Sequence, residues 1–462
     1  MRIAVVGCGY VVDDYLRTLP EHPEITLVGV TDLDESRSRR VAARYGVRCF
    51  ATTEELLADP SVELVVNLTH PQTHHEISRA ALLAGKHVYS EKPLSLAAED
   101  AQDLAALARE RGLMLSGAPC NLLGASWAAV RRLVRDGAIG RTRVIYAELD
   151  DNPIYLMHPE EWRSESGTPW PFKNEYEVGC TLEHAAYHVA ALAALFGPVR
   201  EMTSFASCLV PDKSPVPLDP PTTPDFSVAC LTFDNGVVAR LTCSIVATYD
   251  HKVRLIGDEG EVVLDEVWHN RSPVSLERFG QMSLNARKLR AVRHNPLLGR
   301  LVGVGGRNVR YDVPAPVQAS EPESQAPRGR GLSFTTRLKG ALRRRQMTSL
   351  DFLLGISDME QARREGRDPL ITPEFLLHVS EVTLAISSGD SEPRTIVPPH
   401  SFTPLALDRE EGTAWRPAEP GPLAAVTDRV LVALHRRGGG SGDSPSAHQP
   451  GAHGTEVGAG SR

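Results

Sequence analysis

The run Ile3-Ala4-Val5-Val6, followed by Gly7-Cys8-Gly9, constrains this chain more than any other segment. Four apolar, mostly β-branched residues stopped by glycine read as a buried strand, and the glycines open directly into a helical pattern at Tyr10–Leu19. A strand buried on both faces needs further strand–helix units beside it. Short strands at Ile25–Thr31, Leu64–Leu68, His87–Ser90 and Met114–Ser116 supply them, alternating with helical patterns at Glu35–Tyr45, Thr53–Leu57, His75–Ala84 and Ala98–Arg111. The alternation predicts an α/β fold over residues 1–120, a doubly wound parallel sheet with helices on both faces. Because the first strand starts almost at Met1, no secretory leader is expected.

The texture changes after a helical pattern at Trp127–Asp136 and the glycines Gly137 and Gly140. Arg143–Leu149, Val199–Ser207, Phe226–Phe233 and Val237–Ala247 read as longer strands. Asp234-Asn235-Gly236 makes a tight hairpin, since Asn and Gly tolerate positive φ. Asp258-Glu259-Gly260 turns the chain after a strand at His251–Ile256. Residues 121–405 are therefore expected to form an α+β domain on an open, mostly antiparallel sheet, with a cleft between the two halves. Within it, about 285–345 holds fourteen Lys/Arg against three Asp/Glu around a Pro/Ser/Gln-rich centre at Pro314–Pro327. This stretch is expected to be a partly disordered insertion, whose basic run suits either an anionic ligand or solvent. Helices should resume at Ser349–Glu365 and Pro373–Ser387. Residues 406–462 read as a tail, with a short amphipathic helix at Leu423–Arg436 and disorder from about Gly438.

Composition narrows the function classes. A hydrophobic share of 42%, a charged share of 23% and a formal charge of −8 describe a soluble globular chain and argue against a nucleic-acid binder. No stretch approaches the roughly 20 apolar residues of a membrane helix. The seven cysteines, at 8, 49, 120, 180, 208, 230 and 243, form no close pair, so neither disulfides nor a metal site are expected, and reduced thiols place the chain in the cytoplasm.

The glycine turn has a specific chemical use. Gly7 makes the turn, Gly9 lets backbone approach a pyrophosphate, and Tyr10 and Val11 lead into the positive end of the helix. Val12 stands where Gly or Ala is usual, and its bulk should push helix and strand slightly apart. Asp32 ends the second strand, where a carboxylate accepts hydrogen bonds from ribose hydroxyls and repels a 2′-phosphate. The reading is a Rossmann dinucleotide site for NAD, with NADP kept open by Arg37, Arg39 and Arg40; a tight turn with a capping Asp is the bland alternative.

Further segments resemble the glucose–fructose oxidoreductase / inositol dehydrogenase (Gfo/Idh/MocA) family. Ala84-Gly85-Lys86-His87-Val88-Tyr89-Ser90-Glu91-Lys92-Pro93 is similar to its "AGKHV…EKP" signature. Thr69-His70-Pro71-Gln72-Thr73-His74-His75 resembles its "TPxxxxH" turn with one extra residue, matching at Pro71 and His75. Gly137–Gly140 and Gly366-Arg367-Asp368-Pro369 match two more stretches. The resemblance implies cofactor contacts at Thr69, Pro71, His75, Glu91 and Lys92, with Glu91 on the ribose and Lys92 at the reacting hydroxyl. There an ammonium stabilises developing alkoxide. It also implies a homodimer or homotetramer.

The family's second catalytic element is a carboxylate followed four residues later by His or Tyr, a spacing that stacks both on one helical face. Gly179–His188 fits in two registers: Glu183/Tyr187, or His184/His188. The catalytic candidates are accordingly Lys92, Glu183, Tyr187 and His188. Upstream, Asp150, Asp151, His158, Glu160, Glu161, Lys173, Asn174, Glu175 and Glu177 are interleaved with Tyr155, Trp162 and Trp170, which suits a sugar or cyclitol and equally an oligomer interface or a capping loop. The expected activity is NAD(P)-dependent hydride transfer to or from a secondary alcohol of a sugar, cyclitol or nucleotide-sugar, with a small polyol as the partner. The alternatives are a redox-neutral lyase or glycosidase that regenerates its NAD, and a non-catalytic dinucleotide sensor.

Overall fold

The apolar strands of the first third pair with one another, all in parallel. In the computed structural model, which describes residues 1–311, 350–388 and 395–407, β1 (Arg2–Val6) lies between β2 (Thr26–Thr31) and β4 (Leu64–Asn67). β3 (Arg48–Cys49) flanks β2, and β5 (His87–Ser90) and β6 (Leu115–Gly117) extend beyond β4, for the order β3-β2-β1-β4-β5-β6. The strands alternate with α1 (Val12–Arg17), α2 (Glu35–Tyr45), α3 (Thr53–Ala58), α4 (His74–Leu83) and α5 (Ala98–Arg111). Strand order reverses between β1 and β4, and in such sheets the carboxyl ends at that point form a binding crevice. α1 is shorter than the periodicity predicts: Leu19-Pro20-Glu21 forms a 3₁₀ turn, because proline has no N–H to continue the ladder. Val12 is fully buried in the apolar cluster with Val5, Leu16 and Leu68.

Lys86, in the "AGKHV" segment, is a structural residue. Its ammonium donates to the Asp59 and Val62 carbonyls at 2.8 and 2.9 Å, tying the start of β5 to the loop before β4.

The second sheet is longer. α6 (Ala125–Arg135) leads into β7 (Thr142–Asp150), followed by α7 (Phe172–Val178), α8 (Cys180–Phe196), β8 (Val199–Ser207), β9 (Phe226–Phe233), β10 (Val238–Ser244), β11 (Val253–Gly257), β12 (Gly260–Leu264) and β13 (Val274–Arg278). With the short β14 (Arg307–Asn308) and β15 (Thr395–Ile396) at its edges, the order is β14-β13-β12-β11-β7-β10-β9-β8-β15. Alternate residues are buried along β7, β8 and β9, the period-2 pattern of a sheet packed on one face. One pair departs from the expected antiparallel plan: β7 and β10 run parallel, Val144 to Asp150 opposite Val238 to Ser244. Alternation within a strand reports which face is buried but not the direction of its neighbour.

The basic stretch is ordered at its start. α9 (Gln281–Ala286), α10 (Arg290–His294) and α11 (Pro296–Val302) form within 279–305, α11 capped by the Asn295 side chain and closed by Gly303 at φ +79°. The Pro/Ser/Gln-rich centre, the expected helix at Leu423–Arg436 and the segment from Gly438 lie outside the described residues. α12 (Leu354–Glu365) and α13 (Pro373–Ser387) return the chain to the main body. One apolar cluster joins Val65, Val88, Leu104 and Leu115 of the first half to Ile145, Leu231, Leu241, Phe375 and Val382 of the second. Each such side chain contributes about 1.5–3 kcal/mol on burial, and both sheets belong to one compact unit, 1–278 with the described residues from 306 onward. Among the described residues no helix is long and apolar enough to cross a membrane.

Candidate active site

Gly7 and Gly9 do different work. Gly7 has φ +100°, and a Cβ there would stand 2.6 Å from the Leu68 backbone, so only glycine lets β1 turn this close to the end of β4. A Cβ on Gly9 would meet nothing within 4 Å, and Gly9 lines a cleft of about 340 Å³. An α-carbon without a side chain, facing open space at a helix start, is what a pyrophosphate needs. Asp32 locks the turn from behind, accepting the Cys8 N–H at 2.6 Å and the Asp34 N–H at 2.7 Å. This open turn and this acid fit a dinucleotide.

Of the residues singled out from sequence, Gly9, Tyr10, Val11, Thr69, Pro71, Glu91, Lys92, Glu183 and Tyr187 line the cleft. Gly7 and Asp32 do not line it. His75 does not face it: its ring pairs with Asp103 at 2.9 Å. The neighbouring His74 does, its nitrogens 2.7 Å from the Pro93 carbonyl and 3.0 Å from the Thr69 carbonyl. The extra residue in this turn shifts the inward position by one, which motif alignment alone did not resolve. His188 is likewise outside the cleft. It is buried against the sheet, with Nε2 2.9 Å from the Glu148 carbonyl, and burial brings it down to about 3. A helix turns about 100° per residue, so the face holding Glu183 and Tyr187 excludes His188 and instead admits His184 at its edge.

Lys92 follows β5 and is joined to Pro93 by a cis peptide bond. Its ammonium lies 2.5 Å from Glu183 Oε2 and 5.9 Å from the Tyr187 ring centre. Glu91 is turned inward, accepting the Tyr15 hydroxyl at 2.7 Å and the Lys92 N–H at 2.8 Å. Burial alone would strip the Lys92 charge, but Glu183 and then Tyr187 override it and hold the ammonium above its ordinary value. Burial would likewise raise Glu183, yet Lys92 keeps it ionised and below the usual range. Glu175 is the third member. Burial, then the Glu183 charge, push it well above 4.5, which favours the protonated form that can hydrogen-bond Glu183.

The far wall is aromatic. Trp162 and Trp170, with ring centres 5.0 Å apart, face the cleft together with Pro171 and Asn174. Trp268 lies 5.5 Å from Tyr187 and 5.9 Å from His184. Phe352 stacks on Tyr15 at 5.3 Å and closes another side. Sequence reasoning missed Trp268, Phe352 and His74: the first two stand alone in the chain and reach the cleft only through tertiary packing. Among the described residues, no three His, Cys, Asp or Glu side chains gather as a metal would require.

Residues 1–118 match the NAD-binding Rossmann fold of the GFO/IDH/MocA oxidoreductase family, and residues 127–263 match the GFO/IDH/MocA C-terminal domain. The chain belongs to the Gfo/Idh/MocA family. It is an NAD(P)-dependent oxidoreductase with the family's two-part architecture. It is 28% identical over 287 residues to the trans-1,2-dihydrobenzene-1,2-diol dehydrogenase of Bos taurus, covering 61% of this chain and 78% of that one. It is 28% identical over 271 residues to the dTDP-3,4-didehydro-2,6-dideoxy-alpha-D-glucose 3-reductase of Streptomyces antibioticus, covering 58% and 76%. In fold it resembles a 3-ketoreductase of Actinomadura kijaniata solved with TDP-benzene and NADP (TM-score 0.59, 20% identity, 84% of this chain and 98% of that one). It also resembles a dehydrogenase of Bordetella pertussis solved with NADH and UDP-GlcNAcA (TM-score 0.60, 17% identity, 86% and 97%).

Proposed function

We propose that this Gfo/Idh/MocA member moves hydride between NAD, in preference to NADP, and a secondary alcohol or ketone on a sugar or cyclitol ring. The observation that carries this reading is the Lys92–Glu183 contact, placed between the open glycine turn and the tryptophan wall. Gly9, Tyr10, Val11, Thr69, Pro71, Glu91 and the Asp32 carboxylate would hold the cofactor, which when bound supplies the hydride acceptor or donor. Lys92 hydrogen-bonds the reacting oxygen and stabilises its negative charge as it develops. Glu183 keeps that ammonium charged and aimed, and Glu175 holds Glu183 from the other side. Tyr187, pushed up by burial, stays a hydrogen-bond donor beside the same oxygen. The faces of Trp162, Trp170 and Trp268 cover ring C–H surface and exclude water. A diol dehydrogenase and a dTDP-sugar 3-reductase among the relatives support the substrate class, and seven unpaired cysteines support a reducing, cytoplasmic setting. A homodimer or homotetramer belongs to the same proposal.

The test is a screen of cyclitols, sugars, trans-cyclohexane-1,2-diol and nucleotide-sugars at the reduced-nicotinamide absorbance band, with Lys92→Ala in parallel. Turnover by the wild type that the variant loses supports the reading. Tightly co-purifying cofactor with no net turnover favours redox-neutral chemistry instead, and failure to bind either cofactor ends the proposal.

A further inference from the structure

We propose that His184 is the group that exchanges the substrate's hydroxyl proton, with Asp151 and His251 as its positioning residues. The inference rests on the oxidoreductase reading and names a residue outside the carboxylate–tyrosine pair.

His184 and Asp151 both line the cleft, on the wall formed by α8 and the chain leaving β7. His184 Nε2 is 3.9 Å from Asp151 Oδ2, while Nδ1 is buried with no hydrogen-bond partner. A buried ring nitrogen left unpaired beside a cleft calls for an explanation, and a proton brought by substrate gives it one. Catalytic contacts are often long without substrate and shorten in the complex. Behind Asp151 the array continues. His251 Nε2 is 3.5 Å from Asp151 Oδ1, and His251 Nδ1 is 2.9 Å from Glu266 Oε1. Glu266 in turn accepts the Tyr249 hydroxyl. The Trp268 ring packs 4.3 Å from His251 and 5.9 Å from His184, closing the array from the side.

The other candidates are in the wrong state to take a proton at neutral pH. Lys92 is held as an ammonium by Glu183, and the Tyr187 phenol is held neutral by burial. His184 is available. Burial, opposed by Asp151 and aided by Lys92, brings it down to about 4, so its ring carries a free lone pair. The titratable groups around it are Lys92 after β5, Glu175 on α7, Glu183, Tyr187 and His188 on α8, Asp151 after β7 and His251 before β11. His251 is raised to about 9, against burial, by Asp151 and Glu266. As an imidazolium between two carboxylates it fixes Asp151 as the counter-charge for a protonated His184. A base oriented by a carboxylate that a third group holds in place is a recurring arrangement.

The step balances simply. In oxidation the substrate O–H bond breaks and its proton goes to the His184 ring. The carbinol hydrogen would leave with both bonding electrons, for which a bound oxidised nicotinamide would supply the acceptor, and C–O would become C=O. Reduction reverses the exchange.

Two measurements test the proposal. In the full chain with ¹⁵N-labelled histidine, the His184 ring should stay neutral at pH 7, and Asp151→Asn should lower its midpoint by about one unit. With NAD and trans-cyclohexane-1,2-diol, or whichever cyclitol the wild type turns over, His184→Ala should lose about 100-fold in kcat with little change in KM. Added imidazole should restore part of that loss, whereas Tyr187→Phe should cost less. A cationic His184 at pH 7, a titration indifferent to Asp151→Asn, or a His184→Ala variant within threefold of wild type would overturn the assignment. Absence of wild-type turnover with the titration as expected would instead count against the oxidoreductase reading.

Discussion

Lys92 and Glu183 are 91 residues apart in the chain and 2.5 Å apart in the fold. The contact brings the end of β5 against the first turn of α8, and it leaves one cation to serve two buried carboxyls, Glu183 and Glu175. What the site does chemically, and how its stability responds to mutation and pH, follow from that imbalance.

Removing the cation alone should be costly twice over. Lys92→Met is expected to lower kcat by about 10²–10³ and to destabilise the fold by about 3 kcal/mol, because Glu183 is left buried and unpaired. The double variant Lys92→Met/Glu183→Gln should regain most of the stability and none of the activity. Thermal melts beside steady-state rates decide it; a double variant no more stable than the single one would show that the pair is not coupled.

Glu175 gives a pH signature of known sign. Its carboxyl is raised, by burial first and Glu183 second, above the ordinary 4.5. Its contribution to stability is thus fully present below pH 4.5 and lost as pH rises through the folded value. Glu175→Gln, neutral throughout, should melt with the wild type near pH 4.5 and about 2 °C higher at pH 8. Equal melting temperatures at both pH values would mean that Glu175 is ionised in the fold.

His251 works in a higher window. Raised from 6.5 to about 9, it contributes stability that is fully present below pH 6.5 and fades as pH rises through about 9. The wild type's advantage over His251→Gln should accordingly be largest near pH 5.5 and smallest near pH 9.5, read from melting temperatures at matched ionic strength.

The two glycines separate folding from binding. Gly7→Ala meets the Leu68 backbone and a strained φ, so it should destabilise the protein by about 1–3 kcal/mol. A Cβ at Gly9 meets nothing within 4 Å, so Gly9→Val should melt close to the wild type, yet lose dinucleotide binding by tenfold or more, on the order of 1.4 kcal/mol. Calorimetric titration with NAD beside thermal melts tests both; a Gly9→Val protein with unaltered affinity would move the pyrophosphate elsewhere.

Asp32 should set the cofactor preference. A carboxylate facing a 2′-phosphate costs several kcal/mol, so Asp32→Ser is expected to raise the NADP to NAD ratio of kcat/KM by about tenfold or more. Because Asp32 also holds the Cys8 and Asp34 amides, some loss in NAD affinity should accompany the switch.

The cofactor half was legible because its information is local. Strand, glycine turn, helix and Glu91-Lys92-Pro93 are each contiguous, and their geometry follows from a few neighbouring residues. The substrate half was legible only in outline. Choosing His184 over His188, or His74 over His75, requires knowing which side of a helix meets a sheet, and Trp268 and Phe352 reach the cleft from elements whose packing is decided far away in the chain. Glu175 could be read as polar but not as buried, since nothing beside it in sequence announces Lys92 or Glu183.

The parallel pairing of β7 with β10 has an evolutionary reach. Two neighbouring strands running the same way discharge their following segments at one rim, so the stretch from Asp151 and the stretch from Ile245 are delivered side by side. The first of them also touches the nucleotide frame, where the Ser166 N–H donates to Asp13 at 2.7 Å and Glu165 pairs with Arg17. A chimera carrying a relative's versions of these two stretches together should inherit that relative's substrate range, whereas grafting either one alone should yield a folded protein with neither.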